Sequence, residues 1–215
     1  MPVLTRIIAI RHGETAWNVD TRIQGQLDIG LNDKGRWQAQ QAARALAQEP
    51  MDAIYASDLM RAHDTALAIA AQANASPVVR KHKGLRERAF GKFEGQTYAE
   101  IEAQWPDESR LWRIRDPHFA PPGGESPTQV MERVAQTVNE IAAGHPGQQI
   151  VLVAHGGVMD MLYRRATGQG VSAPRTWDLG NAAINRLLWT PEGMTLVGWA
   201  DTQHLDAAGL DEFGA

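Results

Sequence analysis

The chain has 215 residues, 43% of them apolar and 21% charged, with a formal net charge of −4 and no cysteine. That length supports one domain over residues 1–215 with a full core, and the acidic balance argues against a nucleic-acid or acidic-membrane surface. Disulfides and thiolate metal sites are excluded outright.

The first predicted element is a buried strand over Ile7, Ile8 and Ile10, which ends abruptly in Arg11-His12-Gly13. The apolar run before it is too short, and too interrupted by Arg6, for a signal peptide. No run reaches the length of a membrane span, so the cytoplasm is the expected compartment. Residues 16–31 are polar and contain glycine, and read as an ordered loop anchored by Trp17, Ile23, Leu27 and Leu31. Asn32 or Asp33 caps a helix to about Gln48. Ala53–Ala56 is a second strand, and Ser57-Asp58 ends it and caps a helix from about Leu59 to Ala73 with Arg61 in its first turn. Val78-Val79 is a weaker strand. The stretch from Leu85 to Gly95 is a loop with glycine hinges, and Thr97 caps a helix that Pro106 ends. A short helical turn over 111–115 and an irregular stretch over 116–125 follow. A helix from Pro127 or Thr128 to about Ala143 places Val130, Val134, Val138 and Ile141 on one stripe. Ile150–Ala154 is the clearest buried strand, followed by His155-Gly156-Gly157 and a helix from Val158 to Thr167. Residues 182–189 and 194–199 read as a closing hairpin, and those after His204 as surface. Alternating strands and helices imply an α/β fold, a three-layer sandwich around a mostly parallel sheet with an antiparallel edge.

Ligands of such sheets gather at the carboxyl ends of the strands. Arg11, His12, Arg61 and His155 follow three of those ends, and Glu87 lies in a loop after the third strand. Two histidines, two arginines and a carboxylate at one sheet edge suit phosphoryl transfer. Arg11 and Arg61 would grip phosphate oxygens and stay charged. His12, beside those cations, would stay neutral and keep a lone pair for phosphorus. His155 would donate to oxygens that gain charge, and Glu87 would protonate the leaving group.

The segment Arg11-His12-Gly13-Glu14-Thr15 resembles the signature of the histidine phosphatase superfamily, the group that includes cofactor-dependent phosphoglycerate mutase. Four further blocks, in the family's order, strengthen the resemblance: Asn18-x-x-x-Arg22-x-Gln24-Gly25, Tyr55-Ala56-Ser57-Asp58-Leu59-x-Arg61-Ala62, Leu85-x-Glu87-x-x-Phe90-Gly91-x-Phe93-Glu94-Gly95 and Val153-Ala154-His155-Gly156-Gly157. It implies a phosphoglycerate mutase-like fold and a phosphohistidine at His12, with Glu87 as proton donor and Arg11, Arg61 and His155 as the phosphate pocket. Asn18, Gln24, Gly25 and the Gly156 backbone N–H are further implied contacts. No metal and no cofactor are implied, and the expected partner is a small phosphorylated metabolite. Oligomeric state, homodimer included, is not legible.

Mutases of the family resemble one another in a Glu-Arg-His-Tyr-Gly segment and a following Asn-Lys. Here Glu87-Arg88 runs into Ala89-Phe90-Gly91, and no Asn-Lys follows Gly95. A phosphatase is therefore the favoured reading, with a mutase and a non-catalytic phosphate-binding module as alternatives. Glu94 and Glu100 rival Glu87 as the acid. His63, His82, His118, His145 and His204 read as surface or substrate-rim residues, and Trp37, Trp105, Trp177, Trp189 and Trp199 as packing. The segment carrying Trp112, Arg113, Arg115 and His118 is either a substrate lid or a polar surface helix.

Overall fold

The computed structural model describes residues 4–206, so the expectation for the chain beyond Asp206 falls outside the described residues. One six-stranded sheet runs in the order β3-β2-β4-β1-β5-β6. Its strands are β1 (Thr5–Arg11), β2 (Ala53–Ala56), β3 (Val79–Lys81), β4 (Gln149–Ala154), β5 (Ile184–Thr190) and β6 (Gly193–Asp201). Strands β3, β2, β4 and β1 are mutually parallel, and β5 and β6 add the antiparallel edge. The expected sandwich is the observed one.

Strand periodicity builds the two cores. Successive side chains point to opposite faces, so Ile7 and Ala9 join Ile150 and Leu152 on one face, while Ile8 and Ile10 join Val151 and Val153 on the other. The first face is covered by α6 (Pro127–Ala143) and α7 (Gly156–Thr167), with Val130, Val134, Val138 and Ile141 buried as the stripe predicts. The second is covered by α2 (Asp33–Leu46) and α3 (Met60–Gln72) through Ala43, Leu46, Ala62, Ala66 and Ile69. Each fully buried aliphatic side chain contributes roughly 1.5–3 kcal/mol. Leu152, fully buried in the central strand, leaves a cavity when truncated. Leu152→Ala should cost about 2–5 kcal/mol in a urea unfolding titration.

Several local expectations are corrected. Residues 16–31 are not all loop: α1 (Ala16–Val19) is one helical turn, closed by a capping box between Thr15 and Asn18. The first turn of α3 is capped from outside the helix, its Met60 N–H donating to Asp28 Oδ1 at 2.7 Å, and not by Asp58. Its carboxylate pairs with Arg86 through two 2.7 Å bonds. Pro106 starts a helix as well as following one. The helix α4 (Tyr98–Gln104) stops at Trp105, and α5 (Pro106–Arg113) begins with the proline, whose missing N–H costs nothing in a first turn. The helix α7 begins at Gly156, not Val158. Trp37 is 37% exposed rather than core. His145 is buried, not on the surface: its ring lies between the Tyr55 hydroxyl (3.0 Å) and Gln148 Oε1 (2.6 Å). His204, in the terminal turn α8 (Gln203–Asp206), meets the Ala182 carbonyl at 3.0 Å.

Candidate active site

The register of the central strands assembles the site. Arg11 on β1 is opposite Ala154 on β4, so the next residues, His12 and His155, emerge side by side. Their ring centroids are 5.1 Å apart. Strand β2 flanks β4 on its other side, and the chain leaving it enters α3, which brings in Arg61. All the predicted site residues except His155 line one cleft of about 480 Å³. His155 itself is fully buried against His12.

His12 is oriented by its own backbone neighbour. Its Nδ1 lies 2.7 Å from the Gly13 carbonyl. A carbonyl only accepts, so Nδ1 carries the proton and Nε2 keeps the lone pair. Burial, then Arg61 and Arg11, hold the His12 imidazole well below its ordinary pKa. Burial, Arg61, His12 and Arg11 do the same for His155. Both rings are neutral at pH 7. Gly13 serves a close approach, but to protein: a Cβ there would lie 2.3 Å from the Gly35 carbonyl oxygen. Its N–H donates to Thr65 Oγ1 at 3.1 Å.

The arginines are more committed than a pair of free forks. Arg61 donates from Nη1 to the Leu27 carbonyl and from Nη2 to the Gly25 carbonyl, both at 2.8 Å, and so carries the 16–31 loop. Gly25, at φ +51°, is thus a turn held by Arg61. Arg11 Nη1 donates to the Leu179 carbonyl. The Nε atoms of both arginines and both ring nitrogens of His155 are buried without a protein partner. Burial lowers both guanidinium pKa values, and Glu87 raises them. Asn18 Oδ1 accepts from the Thr15 N–H at 3.0 Å, and Gln24 Oε1 accepts from the Thr15 hydroxyl at 2.9 Å. The amide oxygens are therefore spent inside the loop, which leaves the NH₂ groups for a ligand.

Glu87 sits at the start of α7. The Gly157 N–H reaches its two oxygens at 3.0 and 3.1 Å, and the Arg88 N–H reaches Oε1 at 2.7 Å. The rival carboxylates have structural tasks. Glu94 accepts from the Gln26 and Phe90 backbones, and Glu100 closes the cap of α4 and pairs with Arg22. The close seat of Glu87 makes a prediction. A Cβ on Gly157 would lie 2.2 Å from Glu87 Oε1. Gly157→Ala should push the carboxylate aside and fold normally, because a flexible side-chain end can yield. Phosphatase activity on an alkyl phosphate should fall at least about tenfold, since misplacing a reacting group is costly. Unchanged activity would mean that the seat of Glu87 is immaterial.

Trp112 and Arg115, from the segment read as a substrate lid or a polar surface helix, line the cleft. Trp112 stacks on Tyr98 and contacts Phe90 and Phe93, so this segment walls the site. Tyr98, Asp160 and Arg175 also line the cleft without belonging to any motif read from the sequence. Asp160 could have been noticed as a carboxylate one turn into the helix after His155-Gly156. Arg175 carried no signal.

A mostly parallel sheet with paired histidines, two arginines and a carboxylate at its carboxyl edge defines a phosphoryl-transfer architecture. Residues 7–202 match the histidine phosphatase superfamily (branch 1), and the chain belongs to that family. It is 37% identical over 211 residues to phosphoglycerate mutase-like protein 4 of Arabidopsis thaliana, across 97% of this chain and 90% of the relative. It is 36% identical over 213 residues to the metal-independent phosphoserine phosphatase of Arabidopsis thaliana, across 98% and 87%. Among solved structures it resembles a mycobacterial glucosyl-3-phosphoglycerate phosphatase in complex with VO3, with a TM-score of 0.81 and 36% identity over 92% of this chain and 99% of that one. The likeness favours a phosphatase over a mutase. Among the described residues no cluster of His, Asp or Glu could hold a metal ion, and no helix is long and apolar enough to cross a membrane.

Proposed function

We propose that this protein hydrolyses small phosphate monoesters through a phosphohistidine at His12, as one domain over residues 1–215 working in the cytoplasm. The observation that carries the reading is the set of buried nitrogens without protein partners beside His12: Arg11 Nε, Arg61 Nε and the His155 ring. Buried polar groups left unpaired are costly unless a ligand pairs with them. The two arginine Nε–H groups and the single N–H of the neutral His155 ring suit the oxygens of a phosphoryl group.

In the first step the Nε2 lone pair of His12 forms a bond to phosphorus as the ester P–O bond breaks. The departing oxygen takes a proton from Glu87. In the second step Glu87 removes a proton from water, the water oxygen bonds to phosphorus, and the P–N bond breaks, returning the electron pair to Nε2. Arg11, Arg61 and His155 stabilise the charge that spreads over the phosphoryl oxygens, and the NH₂ groups of Asn18 and Gln24 and the Gly156 N–H complete the cradle. Two of the relatives named above act on phosphoserine or glucosyl-3-phosphoglycerate by name, and a small phosphorylated metabolite is the substrate class proposed here. Release of orthophosphate from p-nitrophenyl phosphate tests the reading. Transfer to an acceptor hydroxyl without net release would favour a mutase, and neither reaction would leave a binding module.

A further inference from the structure

The hydrogen bond that orients His12 does not end at Gly13. The Gly13 carbonyl, 2.7 Å from His12 Nδ1, shares one planar peptide unit with the Glu14 N–H. That N–H donates at 2.8 Å to Gln38 Oε1. Only an oxygen can accept there, so the contact itself fixes which way the Gln38 amide points. Gln38 is buried on α2, and it lies outside the cleft that His12 lines.

Backbone packing holds this pair in place. A Cβ on Gly35 would lie 2.0 Å from the Glu14 carbonyl oxygen and 2.7 Å from the Glu14 nitrogen. The first turn of α2 therefore rests directly on the backbone of Glu14. Gln38 follows Gly35 by three positions, on the same helix face, which sets its amide against the Glu14 N–H. The Asn32 N–H donates to the Glu14 carbonyl at 3.0 Å, and the Asn32 side-chain amide donates to Glu14 Oε1 at 3.0 Å. Glu14 is thus gripped on both sides of its Cα.

The link bears on the chemistry because His12 Nδ1 has no other hydrogen-bond partner among the described residues. As Nε2 gives its lone pair to phosphorus, positive charge spreads over the ring and the Nδ1–H bond to Gly13 strengthens. A carbonyl whose own peptide N–H is already donating is the better acceptor, since hydrogen bonds in a chain polarise one another. The contact therefore counts for more in the transition state than in the ground state, which is the condition for acting on kcat.

We infer that Gln38 is a positioning residue for phosphoryl transfer: through the Gly13-Glu14 peptide it holds His12 in the Nδ1–H tautomer, with the Nε2 lone pair free for phosphorus. The inference rests on the phosphatase reading above and adds to it a residue that touches neither the substrate nor the imidazole ring.

Nitrogen-15 NMR of histidine-labelled protein reads the tautomer directly, with the His12 signals identified as those lost in His12→Ala. The wild-type ring should be Nδ1–H alone. Gln38→Met keeps the length of the side chain and removes its oxygen. It should give a mixture of both tautomers, and kcat on an alkyl phosphate should fall about tenfold with KM unchanged, the scale of one hydrogen bond to a buried group. Gln38→Glu, which keeps an acceptor oxygen at the same reach, should restore the single tautomer and most of kcat. A merely structural role would lower activity with the tautomer unmoved, and that result overturns the inference, as does a wild-type kcat in Gln38→Met. Should Gln38→Met fail to fold, Gln38→Asn, which withdraws the oxygen by one carbon, is read by the same criteria. Turnover of p-nitrophenyl phosphate by the wild type is run alongside. If that fails, the phosphatase reading falls, and the tautomer in Gln38→Met alone decides whether Gln38 holds His12.

Discussion

His12→Ala should abolish turnover, with kcat falling on the order of 10⁶-fold, the scale of loss when a covalent nucleophile is removed. The side chain is almost wholly buried yet lines the cleft, so the variant should fold. Rapid quench with labelled substrate should leave acid-labile, base-stable label on the wild-type protein and none on the variant. Retention of most activity would remove His12 from its role. The same variant also tests the electrostatics. Burial and the two arginines depress the folded-state pKa of His12 and His155, while the unfolded chain protonates its histidines near 6.5. The folded state therefore binds fewer protons as pH falls below that value. Stability is fully present above about pH 6.5 and is lost progressively as pH falls from there towards the depressed folded values. Each histidine contributes at most about 1.4 kcal/mol per pH unit. Urea midpoints at pH 6.5 and 5.5 should show this loss, and His12→Ala should flatten it.

Glu87→Gln should slow alkyl phosphates by about 10²–10⁴-fold, the usual worth of general-acid help, and p-nitrophenyl phosphate far less, because nitrophenolate departs without a proton. Glutamine keeps an oxygen that can accept from the Gly157 and Arg88 N–H groups, so the position survives while the proton is lost. Water attack also loses its base, so phosphoenzyme should accumulate with the activated ester. The comparison needs both substrates on one preparation. Equal losses on the two, with no phosphoenzyme build-up, would reduce Glu87 to a positioning group.

The sequence by itself determined the layers of this protein. Four consecutive buried residues in β1, Ile7–Ile10, and five in β4, Ile150–Ala154, are legible because a strand covered on both faces reads as a continuous apolar run. The valine stripe of α6 is legible because helical spacing places it on one side. The motif residues His12, Arg61, Glu87 and His155 were also readable, since each follows an element whose end is marked by glycine, a turn or a cap. What each does with its hydrogen bonds was decided only by tertiary structure. Arg61 holds the loop carbonyls of Gly25 and Leu27, contacts across more than thirty positions that no local pattern encodes. Glu94 and Glu100 answer to other backbone N–H groups, while Glu87 meets the start of α7. Pro106 was misread for a physical reason: a proline both stops one helix and suits the first turn of the next, and only packing chooses. The wall of Tyr98, Trp112, Arg115 and Arg175 was the least legible part. Its residues come from three separate segments, and long-range folding alone gathers them around one cleft.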